Sequence, residues 1–260
     1  MKVRINEAFD FNQVKNTEST GKRIAKELFN PHNGKIGDIL YMKEDKSFSL
    51  SSRNGMPCAF CVIEASEAPD GKARYMSLHN CFNIPIQNDN KKVNPQVGVR
   101  FGGSTKMFDL DFYINYTNPH DWEGYDRTQY IWNRREQIRS LNFDAANYCY
   151  TYNPDVSIEY RIKTDNKHIG FYCPAYDELL TGIRNILKHK IYNNEDNNEL
   201  FDEIEYIFNN MSIYAIWTSS LFQLGAVFAY NLRQMQMNGY KTNVGMADPY
   251  VIIAMPFIRF

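Results

Sequence analysis

Two cysteines three positions apart, Cys58 and Cys61, are the first residues in the sequence whose types and spacing could do chemistry. Such a pair can supply half of a zinc site or exchange its thiols for a disulfide. Zinc requires four ligands, and His79 and Cys81 follow without forming a second pair. A redox pair opens a helix, whereas this one runs into the strand-like residues 62–63. The pattern therefore favours buried thiols on a strand over a metal or redox site.

Carboxylates that could bind calcium through oxygen are concentrated in the polar region 85–135. They are Asp109, Asp111, Asp121, Glu123 and Asp126. The alternation Asp-Leu-Asp at 109–111 is equally typical of a half-exposed strand. Both interpretations stay open, and we predict no metal or other cofactor.

The remaining candidates for catalysis lack the spacing that their chemistry needs. The histidines are scattered and form no metal-ligand pair at helical or strand spacing; they stand at positions 32, 79, 120, 168 and 189. Residues 102–106, GGSTK, lack the four residues that a phosphate-binding loop places between its glycine and Gly-Lys-Ser/Thr. We therefore predict no catalytic residue.

The composition restricts the class of protein. The chain has 260 residues with 43% hydrophobic content, enough for a sizeable core, and its formal net charge is −1. Near-neutrality predicts no nucleic-acid partner. No stretch approaches the ~20 apolar residues that span a bilayer, so we predict no membrane insertion. The N-terminus has no apolar secretory segment, and the five cysteines fit reduced thiols in a protein made in cytoplasm.

The elements that must position these residues begin with a small β unit. Residues 36–41, 42–50, 59–63 and 73–78 read as strands, with residues 43–46 at a hairpin tip. Residues 21–29 form a helical patch, and residues 1–30 are otherwise polar. We predict an N-terminal arm at 1–30, a β unit at 31–85 and a loop-rich insertion at 86–135.

Helices precede strands in the second half of the chain. Apolar spacing predicts helices at 133–150, 175–190 and 198–209. From residue 214 onward the pattern changes to strands, at 215–219, 226–232, 235–240 and 251–257. Helices followed by an antiparallel run indicate an α+β fold.

Several phrases of the sequence, in this order, resemble those of proteins abundant in Bacteroides and their phages. They are GDILY at 37–41, CVI at 61–63 with APDGKAR at 68–74 and SL at 77–78, DAANYCY at 144–150, FYCPAYDEL at 171–179, IWTSS at 216–220 and the end of the chain, 251–260. The pattern resembles the Fibrobacter succinogenes major paralogous domain, over roughly residues 35–260.

The resemblance implies a C-type-lectin-like domain, here at 86–260, that acts without catalysis. Family members in crAss-like and other Bacteroides phages are virion structural proteins, so the resemblance implies that this protein is one too: a head or tail fibre, a fibre adaptor or a capsid decoration. The resemblance also gives APDGKAR an architectural role, in a β unit that docks or presents the lectin-like domain. Calcium signatures of lectins, Glu-Pro-Asn or Trp-Asn-Asp, are absent from the sequence.

Partner contacts are expected from aromatic, arginine and apolar residues, which anchor interfaces. The candidates are Trp122, Tyr125, Tyr230, Arg233, Tyr240, Leu221 and Phe222. The last two stand where the family has glutamate, and the apolar stretch that they begin predicts a subunit contact or ordinary core. We expect a homo-oligomer in the virion, attached to other virion proteins through the arm, with a host glycan or protein as a further partner.

Two alternatives remain. One is a bacterial surface adhesin with a lectin-like ligand-binding domain, which needs a signal peptide or lipobox upstream. The other is an enzyme related to formylglycine-generating enzymes, which use a late cysteine pair. Here the last cysteine is Cys173, which disfavours that mechanism.

Overall fold

Mixed helices and mostly antiparallel sheets confirm the α+β class. The computed structural model describes residues 27–53, 55–79, 101, 121–135, 144–155, 168–191, 200–202, 204–205, 213–223, 226–232, 236–241 and 251–260. Its strands are β1 Ile39–Lys43, β2 Phe48–Ser49, β3 Gly55–Ile63, β4 Arg74–Ser77, β5 Ile213–Gln223, β6 Ala226–Asn231, β7 Gln236–Lys241, β8 Val251–Ile253 and β9 Phe257–Arg259. Its longer α-helices are α1 Gly124–Asn133, α2 Asp144–Thr151 and α3 Tyr176–His189.

The first sheet has five strands in the order β2-β1-β3-β4-β9. All its pairings are antiparallel, and the first four strands confirm the strands predicted between residues 36 and 78. The fifth strand comes from the end of the chain, so the predicted β unit shares its sheet with the C-terminal residues. The division of the chain at residue 85 stays a prediction.

Strand β3 is buried on both faces along residues 58–63. Helix α3 covers one face, where Asn185 Nδ2 donates to the carbonyl of Val62 at 2.9 Å. Phe60 meets the ring of Phe201 edge-on, with ring centres 5.2 Å apart. Burial on both faces explains why the sequence shows a continuous apolar run here instead of alternation.

The second sheet has four strands in the order β7-β6-β5-β8. β8 runs parallel to β5, with Ile216 opposite Ile253, and the other pairs are antiparallel. The chain then crosses to the first sheet, where β9 pairs with β4 and Ser77 N donates to the carbonyl of Pro256 at 2.8 Å. The single strand predicted at 251–257 is therefore wrong: Pro256 has no N–H, and the strand breaks there.

Helix α3 confirms the prediction at 175–190 almost to the residue. Pro174 precedes it, acidic residues occupy its first turn, and Lys190 ends it in the left-handed conformation at φ 49°. Its apolar stripe, Leu179, Ile183 and Ile186, is fully buried. Farther along, residues 200–202 and 204–205 are helical, as predicted; the rest of 198–209 lies outside the described residues.

Helices α1 and α2 correct the prediction of one helix at 133–150. Asn133 ends α1 instead of beginning a helix, and residues 124–133, assigned to a loop-rich insertion, are helical. The buried face of α1 contains Gly124, Arg127, Thr128 and Ile131. Because three of these four are not apolar, hydrophobic periodicity could not reveal the helix.

Residues 27–34 are fixed to the first sheet by backbone contacts. Leu50 N donates to the carbonyl of Phe29 at 3.0 Å, and the hydroxyl of Tyr75 donates to the carbonyl of Pro31 at 2.5 Å. The predicted arm at 1–30 thus ends on the body of the protein, and residues 1–26 lie outside the described part. Within that part, no helix combines the length and apolar character needed to cross a membrane.

Candidate functional site

Arg74, the last residue of APDGKAR, is completely buried and joins two distant phrases of the sequence. Nη1 and Nη2 donate to the two carboxylate oxygens of Asp70 at 2.6 and 3.0 Å. Nη1 also donates to the carbonyl of Lys72 at 2.5 Å. Nε donates to Oε1 of Glu178, on α3, at 3.1 Å. Asp70, Arg74, Tyr172 and Glu178 are called the Arg74 cluster below.

Glu178 receives donors from three directions. Besides Arg74, the hydroxyl of Tyr172 donates to Oε1 at 2.9 Å and the backbone N–H of Ala175 donates to Oε2 at 2.8 Å. The Ala175 bond is one half of a capping box, so the start of α3 fixes the carboxylate. A fully buried charge requires such pairing, because an unpaired one would cost far more than its bonds return.

Electrostatics make Arg74 the central charge of the cluster. Burial disfavours its cationic form, but Tyr172, Asp70 and Glu178 outweigh burial and raise its pKa. Burial also opposes the anion of Asp70, yet the hydrogen bonds and charge of Arg74 lower the pKa of that carboxyl. For Glu178, burial raises the pKa against the opposing effect of its three donors. Removing the guanidinium would therefore leave the buried Glu178 without its counter-charge.

The cluster reaches the surface beneath two predicted site residues. Arg259, on β9, places Nη1 3.8 Å from Oδ2 of Asp70, and its guanidinium lies 4.1 Å from the ring centre of Tyr125. The guanidinium of Arg74 lies 5.5 Å from the ring centre of Trp122. Tyr125 and Trp122 are both half-buried. The structure thus brings these two candidates together above the cluster.

A second buried cluster joins α1, β5 and the start of α3. The carboxylate of Asp121 binds Arg127 and the hydroxyl of Ser220. Ser220 Oγ accepts from Arg127 Nη1 at 3.3 Å and from the backbone N–H of Tyr176 at 2.6 Å. Asp177 N donates to the carbonyl of Asp121 at 3.1 Å. The serine at the end of IWTSS is therefore bound to the first turn of the helix in FYCPAYDEL.

Helix α1 packs very closely against the chain around Pro174. Thr128 Oγ1 donates to the carbonyl of Gly124 at 2.8 Å and accepts from the N–H of Cys173 at 3.0 Å. A Cβ at Gly124 would lie 2.5 Å from Ala175 N and 2.7 Å from the carbonyl oxygen of Cys173. Glycine is required here because backbone occupies the space of a side chain.

A row of stacked rings connects α1, α2 and His168. The guanidinium of Arg135 lies 4.2 Å from the ring centre of Trp132. Trp132 stacks on Tyr150 at 4.4 Å between ring centres, and Tyr150 stacks on His168 at 3.8 Å. Gln129 Nε2 lies 3.0 Å from Nε2 of His168. These five side chains form what is called the ring row below.

The other predicted partner-binding residues lie elsewhere. Tyr230, on β6, is only 2% exposed and does not present its ring at the surface. Leu221 and Phe222 lie in β5 and Tyr240 in β7, where the structure describes the backbone alone. Arg233 lies outside the described residues. A partner-binding role for any of the predicted residues stays a prediction.

The Cys58–Cys61 pair consists of buried thiols on β3, as the sequence favoured. Cys58 Sγ donates to the carbonyl of Leu40 at 3.3 Å, and Cys61 Sγ donates to the carbonyl of Ile63 at 3.5 Å. Burial raises the pKa of both thiols strongly. Thiolates, the reactive form, are therefore disfavoured at both positions.

Two of the three described acidic candidates for calcium, Asp121 and Asp126, have other partners. Asp121 binds Arg127 and Ser220, and Asp126 Oδ1 lies 3.5 Å from Arg259 Nη2. Asp109 and Asp111 lie outside the described residues. Within the described ranges, no group of three or more His, Cys, Asp or Glu side chains could hold a metal ion.

The residues that sequence reasoning missed are the buried polar ones. Arg74 and Glu178 stand in phrases that the resemblance used, but neither was assigned a contact. Their partnership spans 104 positions of the chain, which no local pattern records. Arg127 stands in the predicted loop-rich insertion, where the sequence suggests no role for it, and His168 is one of the scattered histidines. The available signal was the specificity of APDGKAR itself, which had no chemistry to explain it.

Comparison with known proteins adds no relative. No family model matches the chain, and no curated protein or solved structure is significantly similar to it. The family resemblance therefore stays a prediction from the quoted phrases.

Proposed function

We propose that this protein is a non-enzymatic structural protein of a bacteriophage virion. It serves as a head or tail fibre, a fibre adaptor or a capsid decoration, and residues 86–260 form a C-type-lectin-like domain. It acts by binding other virion proteins through residues 1–30 and, through its own surface, a host glycan or protein.

The observation that carries the proposal is the meeting of the phrases behind the family resemblance. APDGKAR supplies Asp70 and Arg74, and FYCPAYDEL supplies Tyr172 and Glu178. Ser220 of IWTSS binds the backbone of the same helix start. This meeting supports an architectural role for the phrases, and an architecture can be shared by proteins that bind different partners.

The state of the polar groups favours binding over catalysis. A catalytic site needs a nucleophile or base within reach of a substrate. Arg74 and Glu178 are fully buried and bonded to each other, and Asp121 is bonded to Arg127. Burial holds the thiols of β3 in their unreactive form.

The outer side of α1 is the best candidate for a partner contact. Trp122 precedes the helix, and Tyr125 and Trp132 stand on it seven positions apart, a spacing that places them on one face. All three are half-buried, as is Arg135. Tryptophan, tyrosine and arginine are the residue types most often found at the energetic centre of interfaces.

Immunogold labelling tests the location. Antibodies raised against the purified chain are applied to phage particles and to the bacterial host grown without phage. Label on particles alone is expected. Label on uninfected cells would instead support the surface adhesin, and label on neither would contradict both assignments.

Light scattering tests the mode of action. The mass of the full chain is measured over a concentration series, with and without EDTA. We expect a discrete oligomer that EDTA does not change, and a smaller mass for Tyr125→Ala and Trp132→Ala. Arg184→Ala, at an exposed position of α3, is the matched control and should leave the mass unchanged. A monomer that EDTA destabilises would overturn the proposal in favour of a calcium-dependent ligand-binding protein.

A further inference from the structure

His168 lies where three pieces of the chain meet. Its ring lies flat on that of Tyr150 of α2, with ring centres 3.8 Å apart and planes 3° apart. Gln129 of α1 reaches its Nε2 atom. The chain continues from His168 through Gly170, at φ 108°, to Tyr172, which pairs with Phe257 of β9.

The two ring nitrogens define one neutral tautomer. Nδ1 lies 3.0 Å from the carbonyl oxygen of Tyr150, which can only accept, so Nδ1 carries the proton. Nε2 then accepts from the amide of Gln129 at 3.0 Å. Neutral His168 thus joins the backbone of α2 to a side chain of α1 with both nitrogens in use.

A second proton would break this arrangement. It would place an N–H at Nε2 opposite the amide NH2 of Gln129, so two donors would face each other. Gln129 would have to turn its amide so that Oε1 faces the ring, and the hydroxyl of Tyr125, which now accepts from Nε2 at 3.3 Å, would have to become the donor. The new positive charge would also be half-buried.

Among the described residues, no acidic side chain contacts the ring to compensate an imidazolium. From α1 it faces Gln129 and Tyr125, and from α2 it faces Tyr150, all uncharged near neutral pH. Two described cations lie farther out: Arg259 stacks on Tyr125, which is next to the ring of His168, and Arg135 stacks on Trp132, beyond Tyr150. The exposed carboxylate of Asp126, on α1, already pairs with Arg259, with Oδ1 3.5 Å from Nη2.

We propose that His168 is an acid-sensitive latch between α1 and α2, closed by the neutral imidazole and opened by its protonation. Opening would release the ring row and the segment that leads to Tyr172. The proposal does not depend on a virion function. It adds a condition, mild acidity, under which the outer side of α1 changes its packing.

The direction of the pH effect follows from linkage. Burial lowers the pKa of His168 below its usual value of 6.5, and the bond to the carbonyl of Tyr150 offsets only part of this. The closed state therefore binds fewer protons than the open state. The latch stabilises the closed state above pH 6.5, and this contribution is lost as pH falls through the lower pKa of the closed state. Each unit between the two pKa values increases the opening constant up to about tenfold.

Hydrogen exchange of the full chain tests the latch. Amide exchange in residues 144–155 and 168–173 is measured at about pH 7.5 and about pH 5.5, on either side of the histidine range, and corrected for intrinsic rates. A severalfold larger opening constant at the lower pH is expected. His168→Phe, which keeps a stacked ring without a titrating group, should abolish the difference. Gln129→Glu, which gives the imidazolium an acceptor, should reduce or reverse it.

A titration of the His168 Cε1–H resonance in the unmodified chain gives a second readout that needs no variant. In the wild-type chain we expect the pKa of His168 to lie below the usual histidine range. In Gln129→Glu we expect this pKa to be higher. The latch is overturned if the wild-type pKa is ordinary or raised. It is equally overturned if exchange in these segments is independent of pH, or if His168→Phe retains the response. Should His168→Phe fail to fold, the titration and Gln129→Glu still decide the question.

Discussion

Replacing Arg74 with methionine removes the central charge of the Arg74 cluster while keeping an unbranched side chain of similar reach. The change eliminates one donor to Glu178, two to Asp70 and one to the carbonyl of Lys72. Glu178 keeps its bonds from Tyr172 and Ala175, but its carboxylate remains fully buried without a counter-charge. We therefore expect a large loss of stability instead of a loss of one ordinary hydrogen bond.

The magnitude follows from the burial of the two carboxylates. Breaking a buried ion pair by removing one partner costs roughly 3–5 kcal/mol. The side chain of Asp70 is 35% exposed, so solvent screening limits the loss of that pair to about 1 kcal/mol or less. The Glu178 side of the cluster thus dominates. Domains of ordinary stability unfold with about 5–15 kcal/mol, so Arg74→Met should remove a large part of the total.

Urea unfolding, followed by circular dichroism and by the fluorescence of the three tryptophans, measures this loss. The surface pair between Lys35 and Glu64, with side-chain exposures of 72% and 24%, supplies the matched control. Lys35→Ala should leave the urea midpoint almost unchanged, because solvent screens an exposed pair of this kind. Similar m-values in all variants would show that the unfolded states remain comparable.

A double-mutant cycle separates the buried charge from lost packing. Glu178→Gln removes the charge that Arg74→Met leaves unpaired, so the double variant should be more stable than the sum of the single losses predicts. Coupling of about 0.5–3 kcal/mol is usual for residues in one network. If Arg74→Met lowers the free energy of unfolding by less than about 1 kcal/mol, or if the losses in the two single variants are additive, the buried ion pair does not stabilise the fold as argued.

Three further outcomes follow from the structure. Gly124→Ala should lower Tm more than Gly182→Ala. A Cβ at Gly124 would lie 2.5 Å from Ala175 N, whereas a Cβ at Gly182 would lie 3.1 Å from a methyl group of Val62. Equal losses of Tm would contradict the close approach at Gly124. The native chain should expose at most one of its five thiols to a thiol reagent, because four are buried, and rapid reaction of two or more would refute this. Deleting residues 1–26 should weaken assembly and leave the urea midpoint unchanged, whereas a deletion that also removes 27–34 should lower the midpoint; identical midpoints would show that the described backbone contacts contribute little.

The strands of the first sheet and helix α3 could be predicted because their sequences carry local signals. β3 is an apolar run, and α3 combines a regular apolar stripe with Pro174 before it and acidic residues in its first turn. Helix α1 carries no such signal. Its buried face includes Arg127, which donates to the carboxylate of Asp121, and Thr128, whose hydroxyl accepts from the N–H of Cys173. These bonds allow both polar side chains to lie in the core. A polar residue with a distant partner is indistinguishable, in sequence, from a solvated one.

The candidate site shows the same division. Trp122 and Tyr125 could be selected by residue type, and the structure places both above the Arg74 cluster. Residue type also selected Tyr230, whose position on β6 buries it. The ring row could not be predicted, because Tyr150 and His168 are 18 positions apart and the packing of α1 on α2 is needed to bring Trp132 onto Tyr150.

The phrase APDGKAR is specific because most of its residues build one loop. Gly71 adopts φ 65°, and Asp70 Oδ1 accepts from the N–H of Lys72 at 3.1 Å, which closes the turn. The same carboxylate receives both Nη atoms of Arg74, so the turn orients the guanidinium whose Nε is left to reach Glu178. A loop organised in this way tolerates few substitutions even when its surface binds nothing. Under the proposed function, partner contacts should therefore lie on the outer side of α1 and not in APDGKAR.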